Sequence, residues 1–153
     1  MSGLTNFELE KYCKTIIGFN FLGVFPCDSF PQNFKNKKTN ISCIFNLSPH
    51  YATGSHFVAI LKIKKTFIYF DSFGKVCKNK SILKFLKSNT DELLCSNKVI
   101  QSKTSAFCGL FCLAFLIICQ KNKKSIKFFL TRFKKSLSTN DEICLKLILN
   151  NLH

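Results

Sequence analysis

Four side chains set far apart in this chain have the makings of acyl-transfer chemistry: Cys108, His56, Asp71 and Gln101. A cysteine attacks a carbonyl only as the thiolate, so it needs an imidazole beside it. The imidazole needs an acceptor that fixes its tautomer, and the developing oxyanion needs hydrogen-bond donors. Cys108 stands near the start of an apolar run, Ala106 to Cys119, that follows the polar stretch Gln101-Ser-Lys-Thr-Ser. A helix opening at Cys108 would turn unpaired N–H groups and the positive end of its dipole toward the sulfur, which favours the thiolate. Of the three histidines, His153 is terminal and His50 follows Pro49 in an expected loop, which leaves His56 as the partner. The plainer reading makes Cys108 one more buried thiol. Cys112 and Cys119 fall on its helix face at offsets 4 and 11. Core thiols explain them most simply, and without a CxxC or Cys/His pair no metal site is expected.

The elements around these residues must bring them together. His56 to Ile63 and Thr66 to Asp71 read as two strands joined around Lys64-Lys65. With an even loop there, Ile60 faces Tyr69 and Val58 faces Asp71, because side chains alternate with period 2. His56 then lies on the same sheet face as Asp71, as its diagonal neighbour within hydrogen-bond reach. An odd loop would put them on opposite faces, and Lys-Lys is a poor tight-turn pair. Lys98 to Gln101 is a strand candidate delivering Gln101 toward Cys108. Ile41 to Leu47 is a short buried strand, and His50 to Ser55 a loop.

The remaining expectations are helical. Thr5-Asn-Phe-Glu8 is a capping box, with Leu4, Phe7 and Ile16 or Ile17 for one apolar face and Gly18 as the stop. Phe19 to Pro31, with Gly23 and Pro26, reads as irregular. Ser81 to Leu86 reads as a short helix capped by serine. Asn122 to Leu137 and Thr139 to Leu152 are amphipathic helix candidates, the latter opening on a second capping box, Thr139-Asn-Asp-Glu142. The class is α+β: a small antiparallel or mixed sheet packed with helices, its central buried helix starting at Cys108.

The 153 residues, 46% of them hydrophobic, fit one domain over 1–153 with a core built largely on the 18 Phe, since Trp is absent. The run from Ala106 to Cys119 is too short to span a bilayer, which takes about 20 residues. Met1 to Lys11 lacks the pattern of a signal peptide, so the nine cysteines are expected as reduced thiols inside a cell. A net charge of +15, with lysines clustered at 35–38, 62–65, 75–80, 121–127 and 134–135, favours phosphate-rich partners. Arg132 is the only arginine, so contacts to nucleic acid are expected at the backbone. The same lysine, asparagine and phenylalanine richness also follows from an AT-rich coding sequence.

The order His, Asp, Gln, Cys-Gly resembles the adenovirus-type cysteine proteases (the adenain-like family). The resemblance lies in Gly54-Ser-His56-Phe-Val-Ala, Tyr69-Phe-Asp71-Ser-Phe-Gly74 and Gln101 through Cys108-Gly-Leu-Phe-Cys112, with Phe21-Leu-Gly23 and Phe30-Pro31 near the start. It implies Cys108 as nucleophile, His56 as general base and acid, Asp71 as its orienting carboxylate and Gln101 in the oxyanion hole, with no cofactor needed for the chemistry itself. It implies cleavage of viral precursor proteins at Gly-containing motifs, by a monomer in the virion or in the nucleus or cytoplasm of an infected cell. Phe57 stands where the family often has Trp, and Asp71 where adenoviral members carry Glu. The family's activation by DNA, and by a peptide disulfide-linked to a cysteine upstream of the glutamine, points to Cys95 for the latter. Two other readings stand beside this one: removal of ubiquitin-like modifiers by the same four roles, and a non-catalytic basic DNA-binding virion protein.

Overall fold

The computed structural model describes residues 3–32, 34, 40–48, 56–90 and 92–152. His50, Gly54, Ser55 and the lysines at 35–38 lie outside them. Five strands form one mixed sheet in the order β1-β2-β3-β4-β5: β1 Phe21–Pro26, β2 Ile41–Asn46, β3 Phe57–Ile63, β4 Thr66–Phe70 and β5 Glu92–Cys95. The middle of the sheet is antiparallel, while β1 runs parallel to β2 and β5 parallel to β4. Both faces are covered. Phe57, Ala59, Leu61, Ile68 and Phe70 point into one core with helices α1 (Asn6–Ile17), α3 (Cys108–Leu116) and α5 (Asn140–Asn150). Val58, Ile60, Phe67 and Tyr69 point into the other, with Ile82 and Leu86 of helix α2 (Lys80–Asn89). Strands buried on both sides read as unbroken apolar runs, which is why alternation is hard to see in β2 to β4.

The fold is α+β, as expected. Helix α3 opens at Cys108, is buried all round apart from Leu110, and continues into a π-helical turn, Ile117–Lys121. Its rings pack against the sheet, Phe115 stacking on Phe70 with centroids 4.7 Å apart. The capping box at the start of α1 forms: Thr5 accepts from the Glu8 N–H, and the Glu8 carboxylate accepts from the Thr5 N–H at 2.8 Å. Gly18 ends that helix at φ 94°. The β3–β4 register is the even one, with Ile63 against Thr66, Ile60 against Tyr69 and a positive φ of 54° at Lys64 closing the turn.

Several expectations are corrected. Leu4, Ile16 and Ile17 pack against the core as expected, but its buried side on α1 is Leu9 and Cys13, while Phe7 is 75% exposed because position 7 falls off the 9, 13, 16, 17 stripe. Phe21–Pro26 is a strand; as the outermost one it tolerates Gly23 and Pro26, with a bulge between Phe21 and Val24. Helix α2 is capped by Asn79, whose side chain accepts from the Ile82 N–H. The strand after it is Glu92–Cys95, and Lys98 to Gln101 is a loop with bends at both ends instead. Asn122 to Leu137 holds only the short helix α4 (Ile126–Leu130), because the chain then turns to drive Phe129 and Phe133 into the core. Thr139 makes no capping bond, since it closes a 3-10 turn, Leu137–Thr139. No helix among the described residues is long and apolar enough to cross a membrane.

Candidate active site

His56 and Asp71 sit at the neighbouring ends of β3 and β4, one residue beyond each strand. The His56 Nε2 lies 2.8 Å from Asp71 Oδ1. The Asp71 segment is held from several sides. Its Oδ1 also accepts from the Phe73 N–H at 2.8 Å, and the Ser96 hydroxyl accepts from the Asp71 N–H while donating to its carbonyl. The Phe73 ring lies against the imidazole, with centroids 4.8 Å apart.

With Nε2 committed to Asp71, the His56 ring shares its recess with Cys108, and the electrostatics couple the two. The two groups shift each other. Burial alone would raise the Cys108 thiol. The His56 hydrogen bond, the backbone groups of Phe57 and Gly109 and the imidazolium charge outweigh that, and its pKa falls below the ordinary 9.0. Burial likewise works against charge on His56, yet the hydrogen bonds and charges of Asp71 and Cys108 push it up to about 9. The two shifts run in the directions that favour a thiolate beside an imidazolium. Among the other cysteines, burial raises Cys13, Cys43, Cys112, Cys119 and Cys144, which leaves them inert core thiols.

Gln101 is buried and arrives through hydrogen bonds to Ser72, whose carbonyl accepts from the N–H groups of Ile100 and Gln101 at 2.9 and 3.1 Å. Its amide nitrogen donates to the Ser105 carbonyl at 2.9 Å, and its oxygen accepts from the Ser72 hydroxyl. The Ser105 hydroxyl bridges the Phe107 N–H and the Asp141 carboxylate, tying the loop before Cys108 to the start of α5. Buried Asn140 fixes the same region by donating to the carbonyls of Ile100 and Lys134. His56, Gln101 and Cys108 line one recess of about 420 Å³, with Gly3, Leu4, Phe57, Phe73, Lys103, Ser105 and Ala106 as its other walls. All four residues singled out from sequence therefore meet at one place. Ser72, Phe73, Ser96 and Asn140 escaped sequence reading; only the adjacency of Ser72 and Phe73 to Asp71 was a signal.

No family model matches the sequence. It is 29% identical to the protease of Porcine adenovirus A serotype 3 across 74% of this chain and 63% of that one. It is 29% identical to the protease of Bovine adenovirus 7 across 82% of this chain and 69% of that one. The chain resembles the adenovirus-type proteases. A crystal structure of the ASFV protease superimposes on 99% of this chain and 67% of that one at a TM-score of 0.66 and 18% identity, and its selenomethionine form at 0.61 and 19%. The adenain-like fold is thus shared, while the chain spans about 63% of the length of the porcine virus relative.

Cys95 lies at the end of β5, half buried, in a separate recess of about 450 Å³ with Leu94, Lys98, Ile126 and Leu130. Burial raises its thiol, partly offset by a hydrogen bond from the Cys77 backbone. The lysine clusters are rearranged by the fold: Lys62, Lys64 and Lys65 come together with Lys87 around a recess of about 330 Å³ at the β3–β4 turn, none of them in the Cys108 recess.

Proposed function

We propose that this chain is a cysteine endopeptidase that cleaves viral precursor proteins at Gly-containing motifs during virion maturation. The observation that carries the reading is a sulfur at a helix N-terminus sharing one recess with an imidazole whose Nε2 is held by a buried carboxylate. In the proposed mechanism the Cys108 thiolate attacks the carbonyl carbon of the scissile peptide. The oxyanion is received by the free N–H of the Gln101 amide and by the Cys108 N–H. His56 gives its proton to the leaving amine, the C–N bond breaks, and a thioester remains on Cys108. His56 then takes a proton from water, which attacks the thioester and releases the acid. Asp71 holds the ring and its charge throughout. The relatives named as proteases support this reading of the site.

Two accessory proposals rest on the same resemblance. DNA stimulates the enzyme through the lysines near the β3–β4 turn, and a viral peptide engages Cys95 at the end of the edge strand β5. The deciding experiment incubates the protein with Gly-containing capsid precursors beside Cys108→Ala, with and without duplex DNA at low salt. Cleavage lost in Cys108→Ala is the expected result; equal cleavage by both proteins, or preference for a ubiquitin-like fusion, overturns the endopeptidase reading. Activity unmoved by DNA removes the DNA proposal alone.

A further inference from the structure

We infer that Ser72 is a positioning residue for the oxyanion site, its hydroxyl setting which way the Gln101 amide faces; this rests on the proposed function of the same pocket. The Ser105 carbonyl can only accept, so the amide group 2.9 Å away must be NH2. The Gln101 oxygen therefore faces the Ser72 hydroxyl, which must donate. One of the two amide hydrogens is occupied by Ser105 and the other is left for the recess that also holds Cys108. Without the Ser72 hydroxyl, the flipped amide would cost less than it does now, and a flip turns an oxygen toward a developing negative charge. Ser72 also fixes the backbone of residue 101, accepting from its N–H at 3.1 Å.

The position of Ser72 in the chain adds to this. It directly follows Asp71, so one dipeptide orients both halves of the machinery: the carboxylate holds the imidazole and the hydroxyl holds the amide. Ser72 is fully buried, which removes water as a substitute donor. It touches neither the sulfur nor the imidazole in any hydrogen bond described, so its effect should be confined to stabilising the oxyanion.

The test is a double-mutant cycle on hydrolysis of an acyl-Gly-Gly aminocoumarin amide, using wild type, Ser72→Ala, Gln101→Ala and the double variant. Gln101→Ala should lower kcat by about 100-fold, the usual loss of one oxyanion donor. Ser72→Ala should lower kcat by roughly 10-fold with KM unchanged, and should cost nothing further in the Gln101→Ala background. Alkylation of Cys108 by iodoacetamide, a displacement that builds no oxyanion, should proceed at the wild-type rate and with the wild-type pH profile in Ser72→Ala. The inference is overturned if Ser72→Ala costs the same factor with and without Gln101, or if it slows alkylation. Should Ser72→Ala fail to fold, Ser72→Cys, with a weaker donor of similar size, carries the same cycle and should give an intermediate kcat. Failure of the underlying reading looks different: Cys108→Ala and Gln101→Ala would then hydrolyse the amide like wild type.

Discussion

Replacing Asp71 by Asn removes a charge while leaving a carbonyl oxygen where Oδ1 now accepts from His56 and from the Phe73 N–H. The geometry can persist, so the consequence is electrostatic. In the folded protein the imidazole rises from 6.5 to about 9 although burial acts against it. At 1.36 kcal/mol per pH unit that is about 3 kcal/mol in favour of the charged ring. Asp71 supplies the larger share of both the hydrogen-bonding and the charge contributions, ahead of Cys108. Its part is therefore at least half, roughly 2 kcal/mol, equivalent to a ~30-fold change in the ring's protonation constant. With that change burial acts on Cys108 with less opposition, and its thiol moves back up. The assay is the rate of Cys108 alkylation by iodoacetamide between pH 5 and 10, with Cys108→Ala as the blank. Wild type should reach its plateau at a midpoint below 9.0, whereas Asp71→Asn should show a higher midpoint and a slower rate at pH 6 to 7. An unmoved midpoint would refute the ion-pair argument. Stability follows the same sign. Because the folded imidazole lies above its unfolded 6.5, its contribution is fully present below 6.5 and is lost as pH rises through about 9. Asp71→Asn should therefore destabilise the protein more at pH 6 than at pH 9.5, measured by urea midpoints.

Two further substitutions test how the frame carries the site. Gly74 has φ 68°, and a Cβ there would lie 2.8 Å from the backbone carbon of Lys98. Gly74→Ala should cost about 1–3 kcal/mol in chemical denaturation, by strain and by displacing the segment that leads to Gln101, and kcat should fall with it. Phe115 is fully buried and stacked on Phe70 with Phe129 edge-on at 5.8 Å, so Phe115→Ala should cost about 3–5 kcal/mol in denaturant titrations, the largest single loss among these variants.

Much of the site was legible because its residues carry local signals. Cys108 begins an apolar helix, and parity across an even turn puts His56 and Asp71 on one face, as the Ile60–Tyr69 pairing shows. The Thr5 box and the Gly18 stop are likewise short-range devices, decided within one turn of helix. What sequence left open depends on partners distant in the chain. The edge position of β1 excuses its glycine and proline, and the core's demand for Phe133 breaks the periodic stretch after Asn122.

The chain by itself determined which chemistries were available and which strand register could pair an imidazole with a carboxylate. Only the tertiary structure decided that Gln101 enters the Cys108 recess through a loop hung on the Ser72 carbonyl, and that Lys87 joins the hairpin lysines. The physical reason is one of range. Capping, alternation and helix dipoles act over a few residues, whereas a buried amide takes its orientation from whatever donor and acceptor the packed core sets beside it.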